Sequence, residues 1–96
     1  MLVAIKKPMA AIKYCEVENE LSTLQEIVGG YIEVVRFGKY VCICDEEGKL
    51  KGKHENMCST LLHDILVGTL IFCEVSGDEF CGIEDTKDFE DALESF

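Results

Sequence analysis

The sequence predicts an α+β fold: a small, mostly antiparallel sheet of about five to seven short strands, one internal helix and a C-terminal amphipathic helix. Two kinds of pattern predict it. β-branched and aromatic residues form short runs separated by glycine-containing turns, which is typical of antiparallel strands. Two other segments, residues 21–28 and 89–96, have apolar residues at helical spacing.

The N-terminal segment predicts a hairpin followed by the internal helix. Residues 2–5 and 12–17 are β-type runs on either side of a Lys-Lys-Pro-Met reversal. Asn19 is a good N-cap for a helix over residues 21–28, and Gly29, followed by a second glycine, supplies its C-terminal stop. A helix this short needs a sheet to pack against.

The middle of the chain predicts a second hairpin. Residues 31–37 and 40–44 are strands joined through Gly38, the first residue of a tight turn. Residues 45–48 then turn the chain again. We expect residues 49–51 to run back along the strand that precedes this turn.

The second half predicts one long strand between less regular segments. Residues 52–64 have little pattern and are interpreted as a loop with about one helical turn. Residues 65–75 are almost continuously apolar, as in a central strand covered on both faces. Residues 79–83 form the expected edge strand after a turn.

The C-terminal helix has an apolar face and an acidic face. Asp85 or Thr86 is its expected N-cap. Its apolar positions follow i, i+3, i+4 and i+7: Phe89, Ala92, Leu93 and Phe96. Its outward acids are Asp88, Glu90, Asp91 and Glu94. The helix is therefore expected to pack on the sheet with its acids in solvent.

The size of the chain limits its core. Its 96 residues, 48% hydrophobic and 29% charged, predict one globular domain over residues 1–96. A core this small benefits from self-association, so a homo-oligomer is expected. No apolar run approaches the ~20 residues that cross a bilayer, and the N-terminal lysines follow rather than precede the apolar residues. We therefore expect a cytoplasmic protein without membrane contact.

The net charge of −10 is concentrated near the C-terminus. Residues 74–96 contain nine acids and one lysine. Such a field repels phosphate backbones and argues against direct nucleic-acid binding. The segment either provides a solvated, solubilising face or meets a basic protein partner.

The six cysteines do not predict a disulfide scaffold, because most lie inside apolar runs and no export signal is seen. No Cys-x-x-Cys pair is present. His54, Cys58 and His63 would meet only if their segment were helical, so neither a metal nor a cofactor is expected. Nucleotide-fold and hydrolase motifs are also missing, and nothing places a nucleophile beside a base. The sequence therefore predicts a protein that is not an enzyme.

One local cationic patch stands out in this acidic chain, between Gly48 and Asn56. Its candidate ligand-binding residues are Lys49, Lys51, Lys53, His54 and Asn56, with Arg36 and Tyr31 on the neighbouring predicted strand. These side chains offer donors for a phosphate or carboxylate, and the tyrosine offers a stacking surface. The alternation of lysines equally fits an edge strand protected from aggregation.

Three motifs together resemble a known family: residues 28–34 around the glycine pair, residues 43–50 with Asn56 after them, and residues 65–69. The chain resembles a small domain-of-unknown-function family found in tailed phages and in conjugative or integrative elements of bacteria. The resemblance implies mobile-element origin in a bacterial host cell and an accessory or anti-defence role that acts by stoichiometric binding. It implies no reaction.

Two functions remain open. The first is a homo-oligomeric binding module that sequesters an anionic nucleotide-type signal through the cationic patch. The second is an inhibitor whose acidic C-terminal helix blocks a basic surface of a host defence enzyme. The patch, which runs against the overall charge, slightly favours the first.

Overall fold

The computed structural model describes residues 1–96 and contains eight strands and two helices. In chain order these are β1 (Leu2–Lys6), β2 (Lys13–Glu16), α1 (Leu21–Val28), β3 (Ile32–Phe37), β4 (Tyr40–Asp45), β5 (Glu55–Ser59), β6 (Asp64–Val67), β7 (Leu70–Ser76), β8 (Glu79–Cys81) and α2 (Thr86–Glu94). This confirms the α+β class with an internal and a C-terminal helix. Neither helix has the length and apolar character needed to cross a membrane.

Six strands form the main sheet, and every neighbouring pair is antiparallel. The order β2-β1-β7-β4-β3 makes β2 and β3 the outer strands of this path, while β8 pairs with β7. β5 and β6 form a separate two-stranded sheet. The N-terminal hairpin and β3 therefore lie on opposite edges of the molecule.

Both faces of the main sheet are covered, because successive side chains of a strand point to opposite faces. α1 packs on one face, where the core residues are Val3, Leu24, Val28, Val41, Ile43, Ile71 and Cys73. α2 and the β5–β6 hairpin pack on the other face, where they are Ala4, Tyr40, Cys42, Cys44, Leu66, Leu70, Phe72, Ile83, Phe89 and Phe96. All six residues of β4 are buried as a result.

The sequence predicted the C-terminal end of α1 and the N-cap of α2 correctly, but not the N-cap of α1. Gly29 adopts the left-handed conformation that closes α1, with φ +83°, as expected. Asp85 caps α2 by accepting hydrogen bonds from the backbone of Lys87 and Asp88. The prediction for Asn19 is wrong: Glu20 occupies the N-cap position, and the Asn19 amide donates to the carbonyl of Phe80. Asn19 therefore joins the start of α1 to β8.

Three predictions for the segment between residues 49 and 75 are wrong. The apolar run 65–75 is not one strand, because Gly68 takes a left-handed conformation with φ +73° and separates β6 from β7. The segment 52–64, expected as a loop, contains β5. Residues 49–51 lie in a series of turns instead of pairing with β4, since their backbone bonds are local.

Candidate functional site

Two lysines of the cationic patch converge on one buried carboxylate. The Asp45 side chain, 1% exposed, lies at the end of β4. The Lys51 ammonium is 2.9 Å from its Oδ2 atom, and the Lys53 ammonium is 2.7 Å from the same atom. We call these three residues the Asp45 cluster. Its lysine charges are already balanced in part within the fold.

The same two lysines bind the C-terminus of α1. Lys53 Nζ donates to the carbonyl of Val28 at 2.6 Å, and Lys51 Nζ donates to that of Gly29 at 3.1 Å. The last carbonyls of a helix have no partner inside it and carry partial negative charge, so ammonium groups stabilise this end. The Asp45 cluster therefore attaches α1 to the end of β4.

Asp45 is held in its charged form. Burial by itself raises the pKa of this carboxyl, but hydrogen bonds from Lys53, Lys51 and the backbone N–H of Glu47 outweigh it and lower the pKa below its usual range. A carboxylate with three donors has little capacity left for an external ligand. The arrangement is therefore chiefly structural.

Glycines make room for this cluster. A Cβ atom at Gly30 would lie 2.6 Å from Lys51 Nζ and 2.7 Å from Asp45 Oδ1. At Gly68 it would lie 2.8 Å from Cδ of Lys53. The three sequence motifs on which the family resemblance depends, residues 28–34, 43–50 and 65–69, supply Gly30, Asp45 and Gly68 of this one structural unit.

The other candidate residues of the patch point in several directions. Lys49 pairs with Asp64 of β6. Asn56 donates to the carbonyls of Lys6 and Gly68, and its Oδ1 atom accepts from Lys6 Nζ. His54 is exposed. Asn56 therefore joins β5 to β1, and no single pocket collects the patch.

Tyr31 and Arg36 do not take part in the Asp45 cluster. The Tyr31 side chain is exposed and its hydroxyl makes no side-chain hydrogen bond. Arg36 Nε donates to the carbonyl of Gly38, and no carboxylate pairs with the guanidinium. Arg36 lines an open cavity of about 570 Å³ together with Phe37 and Tyr40. The cavity is therefore lined by one unpaired cation beside aromatic rings and by the ion pair of Lys39 and Asp88.

A second cavity, of about 370 Å³, lies between the main sheet and β6. Its charged lining residues are Glu33, Asp45, Glu46, Asp64 and Lys49. Its other lining residues are Val35, Cys44, Leu50, Leu62, Ile65, Leu66 and Val67. We call it the acidic cleft. Lysines already pair with two of these acids, Asp45 and Asp64. Glu33 and Glu46 make no ion pair and give the cleft its negative charge over an apolar floor.

The four acids predicted on the C-terminal helix divide into two pairs. Asp88 accepts from the Tyr40 hydroxyl and pairs with Lys39 at 3.4 Å, while Glu90 accepts from the Tyr14 hydroxyl at 2.6 Å. The other two acids, Asp91 and Glu94, are exposed and make no ion pair. Burial and, to a lesser extent, the hydrogen bond to Glu90 raise the pKa of Tyr14 to about 12.

Several of these roles were not predicted from the sequence. The cleft acids Glu33, Glu46 and Asp64 were not singled out, and neither were the tyrosines that hold α2. Asp45 had one visible signal, since it precedes Lys51 and Lys53 in the same short segment. Close opposite charges within one turn region often pair with each other.

The thiols and histidines make no metal centre in this arrangement. All six cysteines are free, and Cys42, Cys44 and Cys73 are buried. No group of three or more His, Cys, Asp or Glu side chains is arranged to hold a metal ion. Cys44 Sγ donates a hydrogen bond to Glu33 Oε2 at 3.8 Å.

Comparison with known proteins gives a family and no function. Residues 1–94 match the family described as Domain of unknown function (DUF3846), and the chain belongs to that family. No curated protein and no solved structure matches it.

Proposed function

We propose that this member of the DUF3846 family is a non-catalytic protein that binds a basic protein surface through the acidic face of α2. One observation carries the proposal: Asp91 and Glu94 are exposed and unpaired on a helix that is fixed to the sheet. The other two acids of the helix, Asp88 and Glu90, accept hydrogen bonds from tyrosines of the sheet, whereas these two have no partner within the chain. The overall charge of −10 adds to their field.

The helix is presented in a rigid form. Phe89 and Phe96 are buried at the sheet, and Asp85 caps the first turn. The hydroxyls of Tyr14 and Tyr40 donate to the acids of α2 from two different strands. A surface that is ordered before binding loses little conformational entropy on association. This preorganisation supports a role in recognition.

The charge distribution also supports a basic partner. Complementary potentials accelerate the encounter of two proteins and fix their orientation. The same field repels phosphate backbones, so a protein surface that ordinarily binds nucleic acid fits the chemistry better than nucleic acid itself. The resemblance to a family of phages and mobile elements supports a host defence enzyme as the target and a bacterial cytoplasm as the location.

A second function, sequestration of an anionic nucleotide-type molecule by a homo-oligomer, has one observation in its favour. Arg36 meets no carboxylate and lines the cavity of about 570 Å³ beside Phe37 and Tyr40. A guanidinium and an aromatic ring are suited to phosphate and base. It ranks second because the ammonium groups of the patch bond to Asp45 and Asp64.

Co-purification from bacteria with an active defence system tests the first function. The wild type is compared with Asp91→Asn/Glu94→Asn and with a matched control, Asp78→Asn/Glu79→Asn, which removes two exposed acids outside α2. We expect a basic protein to accompany the wild type and the control but to be lost from the α2 variant. Circular dichroism checks that all three fold. Retention of the same partner by the α2 variant would contradict the proposal.

Native mass spectrometry of the same samples tests the second function. An oligomer with a few hundred daltons of bound mass per site, lost in Arg36→Ala, would support sequestration. The bare protein in every preparation would count against it.

A further inference from the structure

The N-terminal hairpin carries lysines that no carboxylate balances. Lys7 and Lys13 are exposed and make no ion pair, and Lys6 bonds to the neutral amide oxygen of Asn56. Lys7 and Lys13 also line a small apolar pocket of about 280 Å³. This end of the molecule is locally positive.

An apolar residue projects from the same hairpin. Met9 is 99% exposed and has a positive φ of +61°, which non-glycine residues seldom adopt. The turn therefore holds a flexible thioether side chain in solvent between two lysines. Methionine adapts well to irregular apolar surfaces. We call Lys7, Met9 and Lys13 the basic tip.

The acidic cleft has the opposite chemistry. Its acids Glu33 and Glu46 are exposed, and Leu50 is 87% exposed at its rim. Leu62 and Ile65, also exposed, line it. Exposed apolar surface rimmed by polar residues is typical of binding sites, including those for proteins. A methionine flanked by lysines matches it in both polarity and charge.

The basic tip and the acidic cleft of one molecule do not touch, since Lys7 and Lys13 make no ion pair and Met9 is 99% exposed. The tip joins β1 to β2, whereas the cleft is lined by β3 and the end of β4, two to four strand positions away in the order β2-β1-β7-β4-β3. At about 4.8 Å per strand, this separation is about 10 to 19 Å across the sheet. We therefore expect a contact between the two surfaces to join different copies.

We propose that the acidic cleft binds the basic tip of a second copy of this chain. Met9 of one copy lies against the apolar floor, and Lys7 and Lys13 pair with Glu33 and Glu46 of the next. The contact is heterologous, so each copy donates one tip and accepts another, which produces a closed ring or an open chain. It leaves Asp91 and Glu94 free and is independent of their proposed function.

Charge reversal on each side tests this contact by sedimentation velocity. We expect the wild type to assemble with rising concentration and more weakly in high salt. Two variants should be monomeric: the tip variant Lys7→Glu/Lys13→Glu and the cleft variant Glu33→Lys/Glu46→Lys. Mixed in equal amounts, they should assemble again, because each tip then meets a cleft of opposite charge.

Matched controls separate the contact from general charge effects. The control Arg36→Glu/Lys87→Glu changes the net charge by the same amount as the tip variant but lies outside both surfaces, on β3 and α2, and it should assemble like the wild type. Met9→Ser should weaken assembly without a change of charge. A monomeric wild type at all concentrations, tip and cleft variants that assemble normally, or a mixture that stays monomeric would overturn the proposal. Loss of α2-dependent partner binding in Asp91→Asn/Glu94→Asn would leave it unaffected.

Discussion

The Lys53 ammonium lies 2.7 Å from the Asp45 carboxylate and also donates to the carbonyl of Val28. One side chain thus connects the turn after β4, the end of β4 itself and the C-terminus of α1. Two lysines of the cationic patch, which suggested a ligand site, thus attach α1 to the sheet. Their ammonium groups are bonded within the fold and are less available to a ligand.

The first prediction concerns Asp45. Replacing it with asparagine should lower the free energy of unfolding by about 1 to 3 kcal/mol, because a buried hydrogen-bonded charge is lost. The lower end is expected, since Lys51 is 42% exposed and water can compensate it. Chemical denaturation of Asp45→Asn and of the control Asp91→Asn measures the difference. Equal stability of the two variants would contradict a structural role for the cluster.

Lowering the pH should remove the stabilisation that Asp45 provides. The pKa of Asp45 is lower in the folded chain than in the unfolded chain, so its stabilisation is complete above the unfolded carboxyl pKa of about 4. It declines as the pH falls below that value towards the folded pKa. Thermal melts of the wild type should therefore lose more stability between neutral pH and acid than those of Asp45→Asn. Parallel acid profiles would show that Asp45 does not carry this pH dependence.

The second prediction concerns Gly30. An alanine Cβ would lie within 2.7 Å of Lys51 Nζ and Asp45 Oδ1, so Gly30→Ala should destabilise by about 1 to 3 kcal/mol through steric crowding. In a Lys51→Ala background, one of the crowding atoms is absent and the cost should be smaller. Denaturation of both single variants and the double variant gives the coupling directly. Additive effects would show that Gly30 and Lys51 do not touch.

The sequence predicted the fold class and most elements because their signals are local. Alternation and glycine turns identify β3 and β4, and helical spacing with an aspartate cap identifies α2. The left-handed Gly29 at the end of α1 belongs to the same kind of signal. Such signals depend on a few neighbouring residues and not on the rest of the fold.

The wrong predictions concern residues whose structure is determined by contacts with residues distant in sequence. The run 65–75 has no local break strong enough to divide it, yet Gly68 turns beside Lys53 and receives the amide of Asn56 at its carbonyl. Asn19 resembles a cap, but its amide reaches Phe80, which is distant in sequence. Periodicity cannot include partners that the chain brings together only after folding.

The candidate site was predicted by residue type but not by pairing. The lysines of the patch were identified, while their partner Asp45 was assigned to a turn and their partner Asp64 to a loop. The acidic cleft depends on bringing β3 and β6 together, so its acids share no sequence motif. Composition shows that a chain is acidic, but only the fold shows which acids remain free.

The third prediction concerns the attachment of α2. Burial and then the bond to Glu90 raise the pKa of Tyr14, and burial and then the bond to Asp88 raise that of Tyr40. This stabilisation is complete below the usual tyrosine pKa of about 10 and is lost as the pH rises towards the folded values. Tyr14→Phe/Tyr40→Phe should therefore melt at a lower temperature at neutral pH and show less alkaline destabilisation. Tyr31→Phe, at an exposed tyrosine, is the control.

The last prediction uses the cysteines as reporters of the core. Cys58 is exposed, whereas Cys73 lies in the central strand β7, where burial raises the pKa of its thiol to about 12. Only the thiolate reacts readily, so a thiol reagent should label Cys58 first in the native protein and Cys73 only after unfolding. Peptide mass spectrometry after timed labelling measures both rates, and Cys58→Ser should remove the fastest phase. Rapid labelling of Cys73 in native buffer would show that the main sheet opens far more often than its burial implies.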